Sequence, residues 1–533
     1  MKTILILGAG LMQLPGIRIA KNKGWRVILA DGNPDAMARD LCDCFEVVDL
    51  KDKEGLLAMA RRFAETSPLD GVFTAGTDFS SSVAWVAEKM GLPGIPYAVA
   101  MRATDKSLMR EAFRKAGVPS PRFAAWNGEG DPSAVLATGL VFPMVVKPVD
   151  NMGSRGVIRV DDEAGLTEAC HAAIGLSRSS RVIIEQFMEG KELSLDAVVY
   201  RGEITVCGVA DRHIFFPPRF VEMGHTMPTD LDEITVREVE EVFRAGIRAI
   251  GIDNGAAKGD IKLTPRGPMI GEIAARLSGG YMSGWTFPLS SGVEVTEAAM
   301  NIAVGIPPGN LAPRYHRTCA ERALISIPGV VDQVWGVEDA RSRRGVAEVF
   351  TRVGPGSEVR FPANNVEKCG NVIAAADTRR EAVEAAERGI AALGLRLRPL
   401  AEATTRFLFH DSGHDAFQAA PPDLLSEVSR MPPFRGELAR AAVLGTIQVD
   451  PLPGIARAEL RDWHGMALEE AVRLALLHGD GAMDPGRADA PLVLSGLFWK
   501  AMIRGSVQGG VYLLDSARSA ASQGQLMHFL AGL

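Results

Sequence analysis

Two carboxylates in neighbouring apolar segments are the clearest sign of chemistry in this sequence. Asp260 lies within residues 256–263 and Glu272 within residues 268–273. A short turn at residues 264–267 joins the segments, so we expect a hairpin in which the carboxylates face one another. Mg²⁺ prefers hard oxygen ligands and leaves positions for water and phosphate oxygens. The pattern therefore predicts that Asp260 and Glu272 bind Mg²⁺ or Mn²⁺ with a nucleotide; the alternative is a salt-bridged hairpin.

A lysine followed by a glycine-rich loop lies upstream of this hairpin. The apolar run of residues 141–146 reads as a buried strand that delivers the amine of Lys147 at its end. In the loop that follows, glycines permit unusual backbone angles and leave consecutive N–H groups free to wrap an anion. We predict a phosphate-binding loop, whose residues are Gly153, Ser154, Arg155 and Gly156.

A second apolar strand at residues 181–188 has the groups that a nucleoside needs. Adenine requires apolar faces and a partner for its amino group, and ribose requires an acceptor for its hydroxyls. The strand ends in Glu185, Gln186 and Phe187, and Glu192 follows shortly after. These four residues are predicted to bind the nucleoside.

Two further cations suit anionic ligands. Lys106 stands near a predicted helix N-terminus, which is unfavourable for a cation unless an anion is present, and this favours a phosphate contact. Arg276 follows Glu272 by four residues, and a guanidinium can hold an acyl-phosphate or a substrate carboxylate with two hydrogen bonds.

The order of these features resembles the ATP-grasp superfamily, in the branch that includes carbamoyl-phosphate synthetase, biotin carboxylase, the purine-pathway carboxylase and the L-amino-acid ligases. The resemblance extends over about residues 1–399. It implies that Lys106 and Lys147 reach the ATP phosphates from opposite sides. The residues that carry it are Asp105, Lys106, Lys147, the loop 152–157, Glu185, Glu192 and residues 271–276.

The same resemblance assigns the remaining contacts. Glu185 and the Phe187 backbone are expected to meet adenine, and Glu192 the ribose. His225 lies in a segment that looks like the one placing a histidine near the ATP phosphates in the carbamoyl-phosphate synthetase branch. Ala274 replaces an asparagine often found in the family, which puts a second metal in doubt and favours the amino-acid ligases.

The resemblance implies a Mg²⁺- and ATP-dependent carboxylate–amine ligase that forms an amide through an acyl-phosphate on an amino-acid-like substrate, with Arg276 and Lys147 as catalytic groups. Small-molecule carboxylate and amine substrates are the expected partners. Two alternatives stay open: a carboxylase or carbamoyl-phosphate-type synthetase that uses bicarbonate, and an ATP-binding module without turnover.

Composition excludes several other classes. A net charge of −7 gives no general attraction to nucleic acid or anionic membranes. Six scattered cysteines lack metal-ligand or disulfide spacing, which fits a reducing, cytoplasmic setting. No apolar segment reaches membrane-spanning length.

At 533 residues the chain is too long for one core, and we predict an α/β and α+β multidomain protein. Strands alternate with helices at the N-terminus, as in a Rossmann-like parallel sheet. The segment 411–415 contains His414 and reads as a surface turn, and a homodimer is possible. The expected parts are a Rossmann-like pre-ATP-grasp domain at 1–100, an ATP-grasp domain at 101–310 with a lid at about 119–190, a small α+β closing module at 311–400 and an unrecognised, mostly helical extension at 401–533.

Overall fold

A parallel sheet forms the N-terminal part of the protein in the computed structural model of the chain. Its strands run in the order β3-β2-β1-β4, and β1 is buried along its whole length, as is typical of a parallel sheet that is covered on both faces. The predicted Rossmann-like layer is confirmed. The elements are β1 (Thr3–Leu7), α1 (Leu14–Asn22), β2 (Arg26–Asp31), β3 (Cys44–Val47), α2 (Lys53–Thr66), β4 (Gly71–Phe73) and α3 (Ser80–Met90).

The structure describes residues 1–411, 415–417, 422–435, 447–450, 460–483 and 493–533. His414 of the predicted surface turn lies outside these residues. The chain divides into two compact units. Unit 1 comprises Met1–Glu321 with Ala375–Ala382, and unit 2 comprises Arg322–Ala374 with Val383–Leu533.

A small antiparallel sheet in unit 1 lies within residues 119–190, the range for which the sequence predicts a lid. Its strands run in the order β5-β8-β6-β7, with apolar side chains from β6 and β8 buried beneath the lid helix α6. The helix begins after Asp162, whose side chain accepts a hydrogen bond from Gly165 N–H. The elements here are α4 (Tyr97–Thr104), α5 (Lys106–Ala116), β5 (Phe123–Trp126), β6 (Met144–Pro148), β7 (Ile158–Val160), α6 (Glu163–Ile174) and β8 (Val182–Gln186).

A second antiparallel sheet completes unit 1 and holds the predicted hairpin. Five of its strands run in the order β13-β12-β9-β10-β11. Helix α7 packs on it so closely that a Cβ atom at Gly259 would lie 2.5 Å from the Phe243 ring, which explains the glycine between two charged residues. The elements are β9 (Lys191–Tyr200), β10 (Glu203–Phe215), β11 (Val221–Met227), α7 (Glu233–Ile250), β12 (Gly255–Thr264), β13 (Gly267–Ala274), α8 (Phe287–Ser291) and α9 (Val295–Ala303).

Unit 2 surrounds one long, almost completely buried helix, α15. The helix bends at Ser506, whose φ of 47° is not helical. The remaining elements of the chain are β14 (Thr318–Leu324), β15 (Gly329–Trp335), α10 (Val337–Ser342), β16 (Val346–Thr351), β17 (Glu358–Val359), β18 (Gly370–Ala376), α11 (Arg379–Ala392), β19 (Gly394–Leu397), α12 (Glu402–Phe409), α13 (Pro422–Arg430), β20 (Phe434–Arg435), β21 (Ile447–Val449), α14 (Leu468–His478), β22 (Gly481–Met483), β23 (Val493–Leu494), α15 (Gly496–Ser522) and α16 (Leu526–Ala531).

The C-terminal extension (residues 401–533) and the small module (residues 311–400) make direct contacts with each other. Gln508 of α15 donates to Ser326 Oγ at 3.0 Å and accepts from Ile327 N–H at 3.2 Å. Arg396 of β19 binds both carboxylate oxygens of Asp515 at 2.7 and 2.8 Å. The structure therefore groups most of the predicted 311–400 module and the 401–533 extension into one unit. Among the described residues, no helix has both the length and the apolarity that crossing a membrane demands.

The Arg396–Asp515 pair gives a test of this shared unit. Asp515→Asn removes the charge that balances a partly buried guanidinium, and we expect it to lower the free energy of unfolding by about 1–3 kcal/mol. Urea denaturation measures the change. Asp480→Asn is the control, because Asp480 is 88% exposed and 3.9 Å from Arg518. Equal effects of the two variants would contradict the structural role of the pair.

Candidate active site

The predicted carboxylate hairpin forms as expected. Strands β12 and β13 pair in antiparallel register, with Asp260 directly opposite Glu272 and Thr264 opposite Gly267 at the turn. Residues opposite one another on adjacent strands have side chains on the same face of the sheet. The two carboxylates therefore share one face.

Cations surround both carboxylates. Lys258 bonds to Asp260, and Arg212 Nη1 lies 3.3 Å from the same carboxylate. Lys106 Nζ lies 3.9 Å from Glu272 Oε2. Burial raises the pKa of Asp260, but Arg212 and Lys258 outweigh it and hold that pKa below its usual value. For Glu272 the cations, Lys106 foremost, likewise outweigh burial and lower the pKa. Both groups are charged at neutral pH.

This donor set fits Mg²⁺ bound jointly with a nucleotide. Two deprotonated carboxylates on one face supply hard oxygen ligands. Within the described ranges, no cluster of three or more His, Cys, Asp or Glu side chains is arranged to hold a metal. Two carboxylates leave most coordination positions of Mg²⁺ open, and phosphate oxygens or water would fill them.

Lys147 and Glu185 meet in the lid sheet. Lys147 Nζ donates to Glu185 Oε2 at 2.6 Å, and Arg110 Nε donates to Oε1 at 2.7 Å. Burial raises the pKa of Glu185, but Arg110 and Lys147 more than offset this and bring it to about 2. Only Lys147 retains noticeable exposure among the three side chains, at 17%. It is the group of this triad that a ligand can reach.

The glycine-rich loop has the backbone that the sequence predicts. Gly153 and Gly156 have φ values of 66° and 73°, and Ser154 between them has a φ of 62°. Lys106 Nζ donates to the Asn151 carbonyl at 2.7 Å, so this buried lysine connects the loop to Glu272. Lys106 thus lies beside the loop, as a phosphate contact requires.

Arg155 of the loop turns toward the N-terminal sheet. Its Nη2 lies 3.4 Å from Asp78 Oδ2, and Arg178 of the lid pairs with the same oxygen at 2.5 Å. Asp78 follows β4, at the edge of the parallel sheet where ligands commonly bind. The ion pairs join this edge to the lid.

The predicted nucleoside residues are largely occupied by contacts within the protein. The Gln186 amide donates to the carbonyls of Val141 and Pro143 at 2.9 and 3.1 Å. Phe187 N–H donates to the Pro143 carbonyl at 3.0 Å, and the Phe187 ring lies 4.6 Å from Lys262 Nζ. Glu192 lies 3.1 Å from Lys262 Nζ. The adenine and ribose assignments stay predictions.

Arg276 is anchored at the junction with the N-terminal sheet. Its Nε donates to the Thr77 carbonyl at 2.9 Å and its Nη1 to the Leu277 carbonyl at 2.8 Å, while Nη2 has no hydrogen bond to any described residue. Nearby, Asp196 accepts from Ser278 N–H at 2.9 Å and from its hydroxyl. Burial raises the pKa of Asp196 to about 6. Nη2 is the part of Arg276 that a substrate anion can engage without rearrangement.

His225 is buried between two carboxylates. Its Nδ1 lies 3.1 Å from Glu321 Oε2, and its Nε2 lies 3.5 Å from Glu222 Oε2. Burial lowers the pKa of His225, but the two carboxylates outweigh this and raise it to about 9. Glu222 also accepts from Arg212 Nε at 2.9 Å, so His225 joins the same charged network.

Sequence reasoning missed several charged members of this network. Arg110 stands one helical turn after the predicted phosphate lysine, which places it on the same helix face. Asp196, Lys258, Arg212 and Glu222 are charged residues inside strands that are otherwise mostly apolar. A charge at such a position needs a partner. That signal indicates that each of these residues has a partner of opposite charge, but it does not indicate which residue the partner is.

Comparisons with known proteins match two parts of the chain. Residues 140–284 match the family described as ATP-grasp domain, and residues 322–398 match the family described as L-amino acid ligase C-terminal domain 2. Carnosine synthase 1 of Mus musculus is 28% identical over 359 residues, which cover 62% of this chain and 43% of that protein. The alanine–anticapsin ligase of Bacillus subtilis (strain 168) is 26% identical over 300 residues, covering 51% of this chain and 61% of that protein.

The chain thus spans less than two thirds of either curated relative. Among solved structures, an L-amino acid ligase from Bacillus licheniformis superposes with a TM-score of 0.65 at 22% identity, over 75% of this chain and 99% of that one. At this identity the likeness concerns the fold.

The contacts of His225 with Glu222 and Glu321 predict that the stability of the protein depends on pH. The pKa of His225 rises from 6.5 in the unfolded chain to about 9 in the folded one. Its contribution is therefore fully present below pH 6.5 and is lost as the pH rises through 9. His225→Gln should destabilise the protein by at most about 3 kcal/mol near pH 6.5, and by less near pH 10.

Urea denaturation at both pH values measures this difference. His316→Gln is the control, because His316 is exposed in the same unit. A His225→Gln effect that does not change with pH would show that His225 is not a charged partner of the carboxylates.

Proposed function

We propose that this chain, which belongs to the ATP-grasp superfamily, is an ATP- and Mg²⁺-dependent ligase that joins an amino-acid-like carboxylate to an amine in an amide bond. The observation that carries the proposal is the register of the β12–β13 hairpin. It sets Asp260 and Glu272 on one face, with Lys106 between Glu272 and the glycine-rich loop. Carboxylates for a metal and cations for phosphates thus lie together.

The residues of the chain act by position and charge. Lys106, Lys147 and the loop N–H groups bind and orient the phosphates, and Asp260 with Glu272 would hold the metal. Mg²⁺, when bound, supplies Lewis-acid charge to the transferring phosphoryl group. Arg276 holds the substrate carboxylate, or the acyl-phosphate formed from it, through Nη2. Catalysis of this kind needs no covalent attack by a side chain, because neutralising and aligning the reactants lowers the barrier.

The substrate class is inferred from the relatives. Residues 322–398 match a domain of L-amino acid ligases, and two relatives are named as a carnosine synthase and an alanine–anticapsin ligase. Two of these names, the L-amino acid ligase domain and the alanine–anticapsin ligase, state the ligation of amino acids. Experiments decide between this function and two alternatives: the use of bicarbonate as the carboxylate, and ATP binding without turnover. They also decide whether the chain forms a homodimer.

The proposal predicts ADP release that depends on an amino-acid pool. The chain is incubated with Mg-ATP and with pooled amino acids, pooled other carboxylates, or bicarbonate alone. We expect ADP with the amino acids, together with peptide-like products in mass spectrometry. ADP with bicarbonate alone would favour a carboxylase or carbamoyl-phosphate-type synthetase, and no ADP despite tight ATP binding would favour a binding module.

The metal assignment predicts a selective loss in one variant. Glu272→Gln removes one ligand charge, and turnover should fall more than about 100-fold, because metal neutralisation supplies several kcal/mol to the transition state. The Mg²⁺ concentration for half-maximal rate should rise. Glu203→Gln, an exposed carboxyl at the start of β10, is the control. A normal Mg²⁺ titration curve for Glu272→Gln would exclude Glu272 as a ligand.

A further inference from the structure

We propose that Arg110 is a positioning residue that sets how firmly Glu185 holds Lys147, and through Lys147 the affinity for the triphosphate of the nucleotide. The inference rests on the proposed function, since it takes ATP as the ligand. Arg110 does not contact the ligand in this account. It acts through the carboxylate that it shares with Lys147.

Arg110 is held in one place. It is 1% exposed, its Nε donates to Glu185 Oε1 at 2.7 Å, and its Nη2 donates to the Gly271 carbonyl at 2.5 Å. The guanidinium also lies 5.9 Å from the centre of the Phe113 ring. A planar group with bonds on two sides and a ring nearby has little freedom to move.

Sharing of the carboxylate weakens the hold on Lys147. Glu185 gives one oxygen to each cation, and its negative charge is divided between them. In a water-poor site, a carboxylate with a single cationic partner binds that partner strongly. If Arg110 were absent, the whole attraction of Glu185 would fall on Lys147. The ammonium would then be less available to a phosphate.

The Gly271 contact adds a geometric link. Gly271 precedes the predicted metal ligand Glu272, so Arg110 connects the β8 end that carries Glu185 to the β13 strand that carries Glu272. Lysine cannot reproduce both bonds, because it is a point charge without a forked planar group. Arg110→Lys therefore separates the charge of Arg110 from its geometry.

Binding without turnover tests the proposal. Calorimetry compares a non-hydrolysable ATP analogue with adenosine, which has no phosphates for Lys147 to contact. Arg110→Met should weaken the analogue about tenfold more than it weakens adenosine, whose own affinity can change because Glu185 is also a predicted adenine contact. Arg110→Lys should recover most of the analogue affinity, because its charge still shares Glu185. The control is Arg114→Met on the same helix, since Arg114 is 64% exposed and pairs only with Glu111 among the described residues.

A double variant distinguishes the proposed role of Arg110 from a general loss of structure. Arg110→Met combined with Glu185→Gln removes the buried charge as well as its partner and releases Lys147. Because Glu185 is also a predicted adenine contact, the readout is the ratio of analogue affinity to adenosine affinity, which should return to the wild-type value or exceed it. A merely structural role predicts no such rescue, and it predicts equal losses for adenosine and the analogue; either result would overturn the proposal. If Arg110→Met does not fold, Arg110→Lys and the double variant decide by the same ratio of affinities.

If the proposed function itself were wrong, the binding experiment would give a different result. A wild-type chain that does not bind the analogue contradicts the proposed function itself. A wild-type chain that binds it, with Arg110→Met unchanged, contradicts only the role of Arg110.

Discussion

The candidate site depends on one constraint: a charge that is removed from water must have a partner of opposite charge. Glu185 is almost completely buried and stays ionised only because Arg110 and Lys147 each bind one of its oxygens. The same holds for Asp260 beside Lys258 and Arg212. Since the partners come from different segments, the ion pairs also hold those segments together. Loss of one partner leaves an unpaired buried charge, which costs more than the pair contributes.

This network prepares the site for an anionic ligand. The cations that would bind phosphates are already in place through protein carboxylates and backbone carbonyls, so little reorganisation accompanies binding. Lys106 illustrates this, because its ammonium is held by the Asn151 carbonyl and lies near Glu272. A ligand phosphate can add to these contacts rather than create them.

Unit 2 follows a different principle. Its long helix α15 is almost completely buried, and its polar side chains are used inside the fold. Gln508 bonds to Ser326 and to the backbone, and Ser506 at the bend donates to Asp462 Oδ2 at 2.5 Å. A buried helix that satisfies its polar groups in this way belongs to the core of its unit. The extension beyond residue 400 is therefore part of this fold, although no family resemblance predicted a place for it.

The sequence by itself determined the parallel N-terminal sheet, the strands that end at Lys147 and Glu185, the hairpin and the face-to-face carboxylates, because these depend on local periodicity, turns and glycines. Asp260 and Glu272 needed only a hairpin to meet, and Lys147 only the end of a strand. Tertiary structure alone decided the pairs that join distant segments. Arg110 and Glu185 are 75 positions apart, and His225 and Glu321 are 96 apart. Pairing at such separations depends on how the packed elements lie in space, and no local pattern records it.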